Sequence, residues 1–170
     1  MGDKLIIYRN LLAYLIFLGL SAPALAAGGT APGKATCYQT SQVENAAATR
    51  ATNATRKAHG LAPLQPSRDL AAAAAAHACD MASRGVMSHQ GSRTKGPMQR
   101  LKKQGYRPAL AAENIAAGPW GQDRVLTEWV RSGDHLANIL IPQLHHYGIG
   151  RALGADGRTV YWAAVYSAPR

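Results

Sequence analysis

Tyr147-Gly-Ile-Gly-Arg-Ala-Leu153, then Gly154-Ala-Asp-Gly-Arg158, then Thr159-Val-Tyr-Trp-Ala-Ala-Val-Tyr166 is the stretch that decides the fold. Its first part alternates with small residues. Its last part is rich in β-branched and aromatic side chains, the composition of a strand. Asp156-Gly157 between them predicts a hairpin whose two central residues both take positive φ. Upstream of this hairpin the chain reads as helices. An α+β domain follows, in which helices pack on a small, mostly antiparallel sheet.

Working outward, residues 111–118 (Ala-Ala-Glu-Asn-Ile-Ala-Ala-Gly) read as strand or loop. Asp123 to Arg131 reads as a helix with Val125, Leu126, Trp129 and Val130 on its apolar face, and Leu136 to Leu140 as a helical turn before Pro142. Pro97 to Gln104 is a short helix with Pro in its first turn and Gly105 as its stop. Ser67 caps a helix that carries Asp69 in its first turn, runs through Leu70, Ala74, His77, Ala78 and Met81, and ends at Gly85. Residues 39–59 form an Ala-rich helix stopped by Gly60.

The N-terminus has a different character. Lys4 and Arg9 precede an uncharged apolar run, Leu11 to Leu20, and the small-x-small triplet Ala24-Leu25-Ala26 follows. This is the pattern of a cleavable secretory signal over residues 1–26, since the apolar core falls short of the roughly 20 residues that span a bilayer. Residues 27–38 then read as a flexible lead-in and residues 39–170 as one domain. The protein is expected to be secreted or periplasmic. Of 19 basic and nine acidic residues, two and one lie in the leader, so the remainder carries +9. Such a charge suits anionic partners of the envelope, phosphate-rich headgroups or wall polymers. The basic residues look scattered, with Arg100, Lys102 and Lys103 the densest cluster. No nucleic-acid motif accompanies them, and a monomer is expected. Cys37 and Cys79, the only cysteines, are expected to pair in an oxidising compartment.

Three polar points stand out from the apolar pattern: Ser88-His89, Glu113-Asn114, and His135 after Ser132-Gly-Asp134. Glu113 lies among Ala111, Ala112, Ile115 and Ala116, where a lone buried carboxylate is costly and needs a partner. A histidine from elsewhere in the chain would serve. Two histidines and a carboxylate can hold a divalent transition metal with an open position, act as a general acid/base pair, or tie the fold together as a polar cluster. Their spacing decides among none of these. His77 reads as a core or interface residue, and His145-His146 as surface residues before a strand. No HExxH, GxSxG, P-loop or GxGxxG pattern is present, and no activated nucleophile is visible.

The same residues carry a resemblance. Asn53-Ala-Thr-Arg56, His77-Ala-Cys-Asp-Met-Ala82 followed by Ser88-His89, Gly105-Tyr106 with Ala112-Glu-Asn-Ile-Ala116, Trp129 with Ser132, Gly133, His135 and Asn138-Ile-Leu140, and finally Gly148-Ile-Gly150 with Tyr161-Trp162 occur in order. Together they resemble the CAP superfamily (SCP-like; cysteine-rich secretory, antigen 5 and pathogenesis-related 1 proteins) in its short bacterial form. The resemblance implies an α-β-α sandwich with a cleft lined by histidines and acidic residues. It places His89 and His135 as ligands of zinc or another divalent metal, Glu113 as their orienting acid, and Asn114 and Ser88 in support. The second acidic residue of the family cleft maps to Glu128, beside Trp129. Two adjacent helical residues point about 100° apart, so Glu128 is either a cleft residue or a solvated helix charge. The implied function is a secreted binding protein for a metal and a small or lipid-like ligand. The alternative is a metal-dependent hydrolase of peptide or wall material.

Overall fold

The computed structural model describes residues 31–170; the expected signal segment lies outside them. In chain order the elements are β1 (Thr36–Cys37), α1 (Gln42–Ala58), β2 (Gln65–Pro66), α2 (Arg68–Arg84), α3 (Pro97–Lys103), β3 (Pro108–Gly118), α4 (Gln122–Arg131), α5 (Gly133–Ile139), β4 (His146–Leu153) and β5 (Val160–Pro169). The sheet runs β1-β4-β5-β3, with β2 beside β4 as the only parallel pairing among the described residues. Helices cover both faces, so the expected α-β-α sandwich is what forms.

Alternation along β5 divides the core. Trp162, Ala164 and Tyr166 point to one side, where Val125, Leu126, Trp129 and Ile139 of α4 and α5 and Ala48 of α1 close over them. Tyr161, Ala163 and Val165 point to the other, against Leu70, Ala74, Ala78 and Met81 of α2 and Leu101 of α3. On this second side α2 lies directly on β4. A Cβ at Gly148 would fall 2.1 Å from the Ala71 nitrogen, and one at Gly150 would fall 2.1 Å from the Ala75 nitrogen. Alanines on the helix and glycines on the strand let backbone meet backbone.

Local signals explain the helix ends. The Ser41 hydroxyl accepts from Glu44 N–H while Glu44 accepts from Ser41 N–H, a capping box that starts α1. The Ser67 hydroxyl accepts from Leu70 N–H, and Gly85 closes α2 in the left-handed conformation. Buried Arg56 donates to the carbonyls of Ala62, Ile139 and Ile141, and Asn53 brackets Leu64 through its N–H and C=O. The Asn-x-x-Arg of α1 therefore anchors the loops that follow α1 and α5.

The hairpin differs from its expectation. Only Gly157 has positive φ there. The pairing of β4 with β5 ends at Leu153–Val160, which leaves a six-residue loop. Asp156 contributes through its side chain, which accepts from the N–H groups of Arg158 and Thr159 and from the Thr159 hydroxyl. Part of the segment read as a lead-in is also structured. Thr36 and Cys37 pair with Leu153 and Ala152, and the Cys37–Cys79 disulfide ties this two-residue edge strand to α2.

Candidate functional site

β3 is the edge strand on the β5 side of the sheet, and the candidate site is built around it. Glu113 and Asn114 are neighbours on a strand and so face opposite layers. Glu113 points toward α2 and α3; Asn114 points toward α5. The two polar points of this one dipeptide thus organise two different groups of residues.

On the α2–α3 side, the Glu113 side chain is 1% exposed and has three partners. His89 Nδ1 lies 2.8 Å from Oε1. A carboxylate oxygen has no proton to offer, so the imidazole donates from Nδ1, and in the neutral ring Nε2 carries the lone pair; the His89 side chain is 56% exposed. Arg100, itself buried, pairs with Oε2. His77 Nε2 stands 3.7 Å from Oε1 and 2.9 Å from the Ser88 carbonyl. Arg100 also donates to the His89 carbonyl at 3.0 Å and to the Thr94 hydroxyl at 3.2 Å. The loop carrying His89 is therefore held at two successive carbonyls, Ser88 by α2 and His89 by α3, while Glu113 fixes the ring. Burial pushes the His77 pKa down, against the pull of Glu113, so its neutral form is favoured.

On the α5 side, Asn114 donates to the His135 carbonyl at 3.0 Å and to the Tyr166 hydroxyl at 3.2 Å. It accepts from Asn138 at 2.9 Å. His135 Nδ1 lies 2.9 Å from the Ser132 hydroxyl, and its ring sits 6.5 Å from that of Trp129. Burial, and then repulsion from nearby His89 in its protonated form, lower the His135 pKa. The outward carbonyls of the β3 edge are not left bare. Asn138 donates to Glu113 O at 3.2 Å and the Trp129 indole donates to Ile115 O at 3.2 Å, which closes this edge to further strands.

Of the residues expected from sequence, His89, Glu113 and Ser88 meet on one side of β3, and Asn114 and His135 on the other. Ser88 acts through its backbone carbonyl, while its hydroxyl accepts from Gln90 N–H. Glu128 is not brought to the histidines. Trp129 takes the inward direction on α4, and Glu128, about 100° away, pairs with Arg124 at 2.8 Å and Arg131 at 3.9 Å on its own helix. Two further residues belong to the site. His77 is the core residue that its place in the Leu70, Ala74 and Met81 stripe of α2 indicates, and it faces Glu113. Arg100 sits in sequence among surface lysines, yet it is the permanent cation that a buried carboxylate calls for.

What this arrangement can hold follows from its free atoms. Both carboxylate oxygens of Glu113 are engaged, so it orients rather than ligates. His89 offers Nε2, and His135 offers Nε2 when its Nδ1–H donates to Ser132. Among the described residues no three His, Cys, Asp or Glu side chains gather as a metal centre.

Residues 49–166 match the cysteine-rich secretory protein family, CAP. The uncharacterized protein YkwD of Bacillus subtilis (strain 168) is 34% identical over 121 residues, 71% of this chain; the match spans 45% of that protein's length, less than half. The fold is similar to that of an outer surface protein of Borrelia burgdorferi, with TM-score 0.66 and 20% identity over 79% of this chain and all of that one. An extracellular SCP-domain protein of Bacillus anthracis str. Ames aligns with TM-score 0.63 and 25% identity over 74% of this chain and 41% of that one. The sandwich agrees with these matches, and the chain belongs to the CAP family of cysteine-rich secretory proteins.

Proposed function

We propose that this is an exported binding protein whose His89–His135 cleft takes up a divalent metal, zinc first among them, and presents it to a small or lipid-like ligand. The observation that carries the reading is the fixed His89 imidazole. Buried Glu113 commits Nδ1, and in the neutral ring the remaining lone pair is on Nε2. A carboxylate behind a histidine in this way sets its tautomer and ring orientation for a metal. His135 is held from the other layer of the sandwich, and its depressed pKa keeps it neutral, the form a metal needs. The bound ion would supply Lewis acidity at a site open to solvent. The protein's part is to orient two rings that come from opposite sides of an edge strand. Export is supported by the leader-like residues 1–26 and by relatives described as extracellular or outer-surface proteins.

The metal-dependent hydrolase reading needs a free base beside the metal, and both oxygens of Glu113 are already engaged. Binding is therefore the better-supported function. Calorimetric titration of metal-stripped protein with zinc is expected to show one site, lost in His89→Ala and in His135→Ala. Absence of a saturable site in the wild-type protein, or its survival in both variants, would end the proposal.

A further inference from the structure

From Met81 to Ala112 the sequence contains no acidic residue and seven basic ones: Arg84, Arg93, Lys95, Arg100, Lys102, Lys103 and Arg107. The structure sorts them. Arg100 is buried against Glu113, and Arg84 is paired with Asp80. The other five are exposed, and among the described residues none of them enters an ion pair. Contacts draw Arg93, Lys95 and Lys103 together, and Lys102 and Arg107 lie on α3 and just past its end. Lys103 Nζ donates to the Arg93 carbonyl, Lys95 N–H donates to Gln99 at the start of α3, and Arg84 reaches the Gln90 carbonyl. Loop 90–96 thus packs against α3, and the two together carry a dense group of exposed cations.

The segment that leads into this loop from α2 carries two of the few large apolar side chains left in water: Val86 is 45% exposed and Met87 is 39% exposed. They directly precede Ser88 and the exposed His89. Cations flanking an apolar lip are the chemistry of a membrane interface: the charges draw the protein to anionic headgroups and the lip enters the boundary. A wall polymer would use the charges but has no use for Val86 and Met87, and this favours lipid.

We propose that the face made by Arg93, Lys95, Lys102, Lys103 and Arg107, with Val86 and Met87 at its edge, docks on the anionic lipid surface of a membrane and brings His89 to the headgroup layer. The proposal does not depend on what the cleft holds, so a failed zinc titration leaves it standing, and its own failure leaves the cleft untouched.

The test is co-sedimentation of protein recovered from the extracytoplasmic fraction of a bacterial host. The vesicles are phosphatidylcholine with and without phosphatidylglycerol. Binding is expected only with phosphatidylglycerol and is expected to weaken steeply with salt. Lys102→Glu/Lys103→Glu should lower the partition coefficient by roughly tenfold or more. The charge-matched control Arg50→Glu/Lys57→Glu, on exposed positions of α1, should change it several-fold less. Val86→Ser/Met87→Ser, which leaves the charge alone, should also weaken binding. Equal binding to neutral vesicles, equal losses from the two charge reversals, or no effect of the Val86/Met87 variant would overturn it. So would retention on soluble polyphosphate with no vesicle binding, which would assign the face to a wall polymer. Circular dichroism of each variant separates lost binding from lost folding.

Discussion

The two faces of the sheet solve the same packing problem with opposite materials. Toward α4 and α5 the core is built from Trp129, Trp162, Tyr147 and Tyr166, large rings that fill space between separated layers. Toward α2, Leu70, Met81, Leu101 and Tyr161 pack among alanines, and opposite the two glycines of β4 the helix rests on the strand's own backbone. Large side chains can shift to absorb a change. Backbone in contact with backbone cannot, so the α2 face sets the geometry of the molecule. The site inherits this difference. The α2–α3 side holds a buried ion pair with two histidines, whereas the α5 side holds a network of neutral amides and hydroxyls.

Substitutions measure the contrast. Gly150→Val is expected to give no folded protein, and Gly150→Ala to cost more than about 3 kcal/mol by urea denaturation, because the added carbon meets α2 backbone. Tolerance of Gly150→Ala would remove the claim that α2 is the rigid side. Replacing both Cys37 and Cys79 by Ala is expected to cost about 4 kcal/mol for a closed loop of this length. Across the sheet, Trp129→Phe keeps an aromatic ring and loses one indole hydrogen bond to the Ile115 carbonyl, a change of about 1 kcal/mol.

The ion pair gives a double-mutant test. Glu113→Gln strands buried Arg100, and Arg100→Met strands Glu113; each is expected to cost about 3–5 kcal/mol. The double variant should cost less than the two single effects added together. Full additivity would mean that the two groups do not depend on each other.

Acidity should act on the same side. Burial lowers the folded pKa of His77 below its unfolded value. The unfolded chain therefore takes up protons first, and stability is complete above about 6.5 and is lost as the pH falls below it. His135 contributes in the same direction. Melting temperatures between about pH 8 and 5 should fall for the wild-type protein and fall less for His77→Gln.

The sequence displayed the parts of this design that are local. Ser67 and Gly85 mark both ends of α2, the small residues of Tyr147–Leu153 mark β4, and Glu113 announces itself by its apolar neighbours. Features that depend on a distant partner stayed hidden. β1 and β2 are two residues each and exist only because β4 offers them a ladder. Arg100 looks like any surface arginine until Glu113 stands opposite it. Asp156 signals a positive-φ turn in sequence, yet its contribution is a side-chain oxygen, and one helical step on α4 separates Glu128 from the inward direction that Trp129 takes.

Glu113 and Ser132 are positioned to hold two imidazoles from opposite layers, each by its Nδ1. Long-range nitrogen–proton correlation spectra of the histidine rings at neutral pH read this out. His89 and His135 are both expected to carry their proton on Nδ1, and added zinc is expected to shift both Nε2 signals together at one equivalent. A neutral ring with its proton on Nε2, or zinc that leaves both signals in place, would rule this arrangement out.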